Sequence, residues 1–137
     1  MYKETTLQRI KRHEDFREKP YPDPIHGWKV PTFGYGFTYI TKQEAEPILR
    51  NRIQTITAEL RRRLSFFRQL PEDIQSVLVE MAYQLGIPGL LKFRKTLKFL
   101  ALGQYSEASE EMLDSKWAKK DTPRRARELA EIVRRTR

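Results

Sequence analysis

The 137-residue chain contains no cysteine, which excludes disulfide bonds and thiolate metal sites. It has no apolar run close to the ~20 residues that a membrane-spanning helix needs. Residues 1–16 lack the apolar stretch of a secretory signal peptide, so we expect synthesis in the cytoplasm without one. Internal repeats and low-complexity linkers are also missing. The length therefore fits one domain.

Positive charge is abundant: 27 Lys and Arg against 18 Asp and Glu give a net charge of +9. A basic surface attracts anionic partners by long-range steering. Nucleic acid, anionic lipid and an anionic polymer such as the bacterial cell wall all fit this charge. No nucleic-acid-binding motif is present, so DNA binding ranks low among them. His13 and His26 have no spacing that suits a metal ion, and we expect neither a metal nor another cofactor.

Residues 14–38 resemble neither ordinary core nor ordinary solvated surface. An amphipathic helix over residues 3–14 must end near Asp15, because prolines follow. Glu14 therefore lies at a helix C-terminus, where the helix dipole disfavours a carboxylate. Asp23 follows in a turn between two prolines. Local conflicts such as that at Glu14 cluster at functional sites, which makes Glu14 a candidate for chemistry.

The aromatic segment that comes next is rich in β-forming residues. We expect strands over 28–30 and 32–39 that form a small antiparallel hairpin. Thr32 opens the second of these strands. Gly34 and Gly36 lie on one side of it, and glycines in a strand permit close approach of another backbone or a ligand.

The remaining chain is predicted to be helical, so the expected fold class is α+β and mostly helical. Residues 41–44 form a capping box that opens a long helix running to about residue 65. Pro71 opens the predicted core helix, whose apolar residues follow the i, i+3, i+4, i+7 pattern until Gly86. Shorter helices follow, and Thr122 caps the last one.

In their order along the chain, these motifs resemble the bacteriophage-type lysozymes, the muramidases of glycoside hydrolase family 24. That family has a helix-end Glu, an Asp after eight residues, and a Thr that opens a T-I-G-Y-G-H-T-like strand. Glu14, Asp23 and Thr32 stand at those positions, and residues 32–38 read TFGYGFT. Because further similar segments follow, the resemblance covers nearly the whole chain. These segments are residues 40–46, 81–86, 115–117 and 122–126.

The resemblance implies a lysozyme-like, two-lobed fold in which residues 1–137 form a single domain. A small lobe of about residues 14–45 contains the hairpin, and a long helix joins it to a helical lobe. The helical lobe would comprise the N-terminal helix and residues 46–137. A cleft would bind peptidoglycan glycan, and the protein would act as a monomer on periplasmic peptidoglycan after the host membrane has been made permeable.

The implied activity is hydrolysis of the β-1,4 bond between N-acetylmuramic acid and N-acetylglucosamine, for host cell lysis. Glu14 would be the general acid. Asp23 and Thr32 would position the attacking water, which gives inversion at the anomeric carbon. The +9 charge suits an anionic wall polymer.

The expected substrate-binding residues come from both lobes. Gln84 could hydrogen-bond an acetamido group, whereas a packing role is favoured for Trp117. The full predicted set is Gly34, Tyr35, Gln84 and Trp117.

Two departures from the family pattern leave a second function open. Phe37 stands where the motif usually has His, and the segment between Thr38 and Thr41 is short. The first removes a polar interaction below the site, and the second removes part of the lower cleft lip. The alternative is a catalytically weakened lysozyme-like domain that binds peptidoglycan or a protein partner.

Overall fold

The computed structural model of this chain describes residues 4–23, 25 and 27–137. The predictions made for Pro24 and His26 lie outside the described residues. Contacts divide the chain into two compact units, Met1–Ile48 and Leu49–Arg137. The chain is mostly helical, with a two-stranded antiparallel sheet, as the predicted α+β class requires.

The first helix, α1 (Thr6–Glu14), is held by its cap and not by burial. The Thr5 hydroxyl accepts from the backbone N–H of Gln8 at 3.2 Å, and the Gln8 side chain accepts from the backbone N–H of Thr5 at 2.8 Å. No residue of α1 is buried, and its apolar side chains are exposed. This helix falls in the first unit, whereas the sequence-based prediction grouped it with the helical lobe.

The hairpin consists of β1 (Arg17–Asp23) and β2 (Gly27–Gly34). The predicted pairing of residues 28–30 with 32–39 was wrong, because both of those segments belong largely to β2 or to the loop after it. The true partner strand, β1, was not predicted because it contains prolines. Pro22 faces Pro31 across the sheet, and neighbouring pairs in an antiparallel ladder alternate between hydrogen-bonded and non-hydrogen-bonded. A pair of prolines, which lack N–H groups, fits the second kind of position.

The long helix, α2 (Lys42–Arg63), begins and ends close to its predicted bounds. Its capping box is present: the Glu44 carboxylate accepts from the Thr41 hydroxyl at 2.7 Å and from the Thr41 N–H at 3.0 Å. These hydrogen bonds lower the pKa of Glu44. The predicted apolar stripe is buried only toward the C-terminal end of the helix, where Leu60 is fully enclosed.

The second unit is built around α3 (Glu72–Leu91), the predicted core helix. Five residues of its predicted apolar stripe are buried: Ile74, Val77, Leu78, Met81 and Ala82. The helix breaks at Gly86, where φ is +78°, and then resumes to Leu91. Gly86 was therefore correctly predicted as a break, but the chain re-enters a helix that contains Pro88.

The elements around α3 complete the core of the second unit. Thr122 precedes the last helix as predicted, but its hydroxyl makes no capping hydrogen bond. None of the helices in the described ranges is long and apolar enough to cross a membrane. The remaining elements are a 3₁₀ turn (Phe67–Gln69), α4 (Arg94–Ala101), α5 (Tyr105–Leu113), a short π-helical segment (Trp117–Asp121) and α6 (Pro123–Arg135).

Leu78→Ala should destabilise the second unit by about 2–5 kcal/mol, because it removes a buried side chain and leaves a cavity. Leu78 is 1% exposed. Leu102→Ala is the matched control, since Leu102 is 60% exposed, and it should change the free energy of unfolding by less than about 0.5 kcal/mol. Urea unfolding followed by tryptophan fluorescence measures both, because Trp117 becomes exposed on unfolding whereas Trp28 is exposed already. Equal losses in the two variants would contradict the assigned core.

Candidate active site

Glu14 is the last residue of α1, as predicted, and the chain turns sharply after it. Asp15 ends the helix with φ at +59° and ψ at +162°, a strained conformation that is otherwise nearly confined to glycine. Its N–H donates to the Lys11 carbonyl at 3.0 Å, and its carboxylate accepts from the Phe16 N–H at 2.9 Å. The Glu14 side chain is exposed. Its carboxylate is therefore accessible, and the backbone around it is held in place.

The Glu14 carboxylate lies directly against Gly36. A Cβ atom on Gly36 would come within 2.5 Å of Glu14 Oε2 and 2.8 Å of Glu14 Cδ. Gly36 also has φ at +78°, which other residues rarely adopt. The sequence predicted that this glycine allows a close approach. In the structure, the group that approaches is the candidate general acid.

Gly34 ends β2 and makes room for the ring of Phe37. A Cβ atom on Gly34 would come within 2.5 Å of Phe37 Cδ2. Backbone hydrogen bonds of 2.8 and 2.7 Å join Phe33 and Phe37 in both directions, and their rings meet nearly edge to face at 5.8 Å. The predicted strand over 32–39 is thus a strand that stops at Gly34, followed by a tight turn. Phe37, which stands where the motif that this segment resembles has His, packs within this turn.

Tyr35, a predicted substrate-binding residue, is half-buried against the α1 end of the first unit. Its ring lies 5.3 Å from the ring of Phe16, and Lys11 Nζ lies over it at 5.6 Å from the centroid. A cation over an aromatic face is attracted by the ring quadrupole. These contacts link the turn after β2 to the helix that carries Glu14.

Asp23 and Thr32 lie on the two paired strands. Asp23 ends β1 and is half-buried, and its Oδ1 accepts from the Ile25 N–H at 2.8 Å. Thr32 lies opposite Tyr21, two residues before Asp23, and is only 4% exposed. Its hydroxyl donates to the Val30 carbonyl at 3.2 Å. The first unit thus contains all three predicted catalytic residues, each on a different element.

Gln84 and Trp117 lie in the second unit and are bound to each other. Trp117 Nε1 donates to Gln84 Oε1 at 2.9 Å, and Gln84 Nε2 donates to the Thr122 hydroxyl at 3.1 Å. Trp117 is 3% exposed and meets the ring of Phe93 edge to face at 5.7 Å. The Thr122 hydroxyl, which makes no capping hydrogen bond to α6, thus accepts from Gln84. The favoured packing role of Trp117 agrees with its burial.

A groove of about 640 Å³ between α2 and α3 was not predicted. Leu49 and Ile53 of α2 line one part of it, and Tyr83 of α3 lines another. Arg125 Nε lies 2.7 Å from Glu80 Oε2 within the groove. No periodicity signal could reveal this pair, because 45 residues separate its members.

Among the described residues, no group of His, Cys, Asp and Glu could hold a metal ion.

Gly36→Ala should displace the Glu14 carboxyl group, because the new Cβ would overlap its oxygen. The flexible end of Glu14 can move aside, so the stability cost should be that of a positive φ alone, about 1–2 kcal/mol. Gly27→Ala is the matched control: Gly27 has φ at +58°, and a Cβ atom added there would meet no atom within 4 Å. The two variants should lose similar stability, while only Gly36→Ala shifts the side-chain carboxyl resonance of Glu14 in carbon NMR. An unchanged resonance would contradict the contact.

Gln84→Met should leave the buried indole N–H of Trp117 without its acceptor and destabilise the protein by about 1–3 kcal/mol. Gln54→Met, on the exposed face of α2, should cost less than about 0.5 kcal/mol. Thermal unfolding compares the two variants. If Gln84→Met is as stable as the control, the hydrogen bonds that link Trp117 to Thr122 through Gln84 do not stabilise the protein.

Comparison with known proteins finds similarity to lysozymes. The family model described as phage lysozyme matches residues 11–137. A curated relative named probable T4-type lysozyme 1, from Dictyostelium discoideum, is 23% identical over 110 residues, which cover 78% of this chain. The match covers 64% of that relative, so the chain spans less than two thirds of its length. Because the family model covers nearly the whole chain, including all three candidate catalytic positions, the chain belongs to the phage lysozyme family.

Proposed function

We propose that this protein is a muramidase that hydrolyses the β-1,4 bond between N-acetylmuramic acid and N-acetylglucosamine in bacterial peptidoglycan. The observation that carries the proposal is the placement of Glu14. It is an accessible carboxylate at a helix end, seated on a glycine, in the unit that also holds Asp23 and Thr32. Membership of the phage lysozyme family supports the same reaction.

Glu14 is the proposed general acid. Cleavage of a glycosidic bond requires protonation of a poor leaving group beside an oxocarbenium-like centre. Donation requires the neutral form of the acid, and removal of water from a carboxyl group favours that form. Because the Glu14 side chain is exposed, the bound glycan must exclude water from the carboxyl group. Proton donation then depends on substrate binding.

Asp23 and Thr32 are proposed to hold the attacking water. The Thr32 hydroxyl commits its hydrogen to the Val30 carbonyl, so only its lone pairs remain for a water molecule. A water that donates one hydrogen to Thr32 and the other to the Asp23 carboxylate keeps a lone pair free for attack. Attack on the face opposite the leaving group inverts the anomeric carbon. Such a mechanism requires carboxyl groups about 6.5–9.5 Å apart in the working enzyme.

Residues of the second unit are proposed to supply charge and a contact for the sugar. Residues 49–137 carry 19 Lys and Arg against 11 Asp and Glu, and so hold most of the net positive charge. This charge suits an anionic wall polymer. Gln84 uses one amide hydrogen on Thr122 and one lone pair on Trp117, which leaves one of each for an acetamido group. Trp117 would fix the orientation of that amide.

The proposed biological role is lysis of the host cell from within. The protein would be made in the bacterial cytoplasm and would reach periplasmic peptidoglycan once the inner membrane has been made permeable. Tyr35, in the turn beside Glu14, would then contact the glycan, whereas the predicted contact with Gly34 is not proposed, because Gly34 is buried and the Phe37 ring fills the space beside it.

The second candidate function is a domain that binds peptidoglycan or a protein partner with little cleavage. Two observations favour it. Glu14 is exposed, so nothing in the first unit yet desolvates it, and Phe37 packs against Phe33 in place of the family's polar His. This candidate predicts retention on cell wall without release of reducing ends.

Glu14→Gln should lower the release of reducing ends from purified peptidoglycan by about 10²-fold or more, because general acid catalysis contributes about 10²–10⁴. Glu18→Gln is the matched control, an exposed carboxylate on β1, and should stay within about twofold of wild type. Proton NMR of fresh products should show the α-anomer first. Equal activity of both variants would remove Glu14 from the mechanism, and wall binding without any release by the wild type would favour the binding domain.

A further inference from the structure

A second pocket lies in the second unit, at the start of α4, and no step of the proposed hydrolysis uses it. Its volume is about 410 Å³. Lys92, Arg94 and Lys95 contribute to its lining, together with Thr96. Three consecutive residues at a helix N-terminus therefore face one cavity, and two of them are basic.

The N-terminus of α4 has free backbone donors. Phe93 occupies the capping position and offers no side-chain acceptor. The Arg94 N–H bonds the Lys92 carbonyl at 2.8 Å, and the Leu97 N–H bonds the Phe93 carbonyl at 3.0 Å. Across the part of the chain that the structure describes, the N–H groups of Lys95 and Thr96 find no acceptor. Such free donors, with the positive end of the helix dipole, attract anions.

The Thr96 hydroxyl gives a second indication, independent of the helix N-terminus, that the pocket binds a ligand. Thr96 is 2% exposed, yet its hydroxyl forms no hydrogen bond to any described residue. Burial of a hydroxyl without a partner is unfavourable. Among the described side chains, no completely enclosed polar atom lacks a partner, so this hydroxyl must open onto the pocket that Thr96 lines. It can donate to a group bound there.

The balance of charges around the pocket favours an anion. Within the described ranges, Lys92, Arg94 and Lys95 form no ion pair. Of the two acids on the lining, Asp114 accepts from Lys119 Nζ at 2.6 Å, and the charges of Lys119 and, more weakly, Lys95 lower the pKa of Asp114. Glu111, which is half-buried, opposes an anion. The cations on the lining outnumber the carboxylates.

We propose that this pocket binds a phosphate group through the backbone N–H groups of Lys95 and Thr96, the Thr96 hydroxyl and the three basic side chains. A phosphate group offers at least three strong acceptor oxygens to these donors, whereas a carboxylate offers two. Inorganic phosphate and the headgroup of an anionic lipid share this chemistry. The proposal does not rest on muramidase activity, because it involves neither Glu14 nor the hairpin.

The test is titration of the full-length, nitrogen-15-labelled protein with inorganic phosphate at constant ionic strength. The amide resonances of Lys95 and Thr96 should shift together and saturate. Thr96→Val should weaken binding about tenfold or more, since a hydrogen bond to a charged group is lost. Thr96→Ser, which keeps the hydroxyl, should stay within about threefold of wild type. Circular dichroism confirms that each variant is folded.

Charge variants on the same helix provide a matched pair. Lys95→Gln should weaken phosphate binding about three- to tenfold, whereas Lys98→Gln, one turn later and outside the pocket, should change it less than about twofold. Glu111→Gln should strengthen binding, because it removes the opposing carboxylate. Equal effects of Lys95→Gln and Lys98→Gln would indicate attraction by overall charge and would overturn the site.

Vesicles distinguish the two sources of phosphate. If the headgroup is the ligand, vesicles containing phosphatidic acid should bind the wild type but not the Thr96→Val variant. Added inorganic phosphate should then release the wild type from the vesicles. If free phosphate is the ligand, Thr96→Val should weaken the titration while vesicle binding is absent or unchanged. The proposal is overturned if no resonance shifts at millimolar phosphate, if shifts scatter over the basic surface, or if Thr96→Val binds like the wild type.

Discussion

Burial of α3 is the constraint on which the second unit depends. Ile74, Leu78 and Met81 are at most 1% exposed, so neighbouring helices must pack around them on several sides. Burial of this kind is the dominant favourable contribution to folding. It also determines the surroundings of polar residues on the same helix. Gln84 comes three residues after Met81 and is therefore held where it meets Trp117 and Thr122.

The first unit is stabilised in a different way. Among its described residues, only Thr32 and Gly34 are buried, so it has almost no apolar core. Its shape depends instead on backbone hydrogen bonds, two capping boxes and residues with positive φ. Asp15, Gly34 and Gly36 each turn the chain at a point where an ordinary residue would be strained. The candidate acid Glu14 therefore owes its position to backbone geometry, which a single added methyl group can disturb.

The two kinds of stabilisation suit two different tasks. A small unit with little core can adjust when a polymer binds, because few buried contacts oppose local movement. A packed helical unit holds polar groups such as Gln84 at defined positions. The pocket at the start of α4 belongs to the packed unit. Its unpaired hydroxyl and backbone donors are fixed before any ligand arrives, which reduces the ordering cost of binding.

Local patterns in the sequence were sufficient to locate the main helices and to identify the candidates for catalysis. Apolar periodicity located α3, the capping box located the start of α2, and the spacing of Glu14, Asp23 and Thr32 indicated the family. These features are local, or depend on order along the chain. Other features required the folded chain: the pairing of β1 with β2 despite prolines, the contact of Glu14 with Gly36, and the bond between Trp117 and Gln84. Each joins groups well separated along the chain, so no local pattern contains it and only the folded backbone brings the groups together.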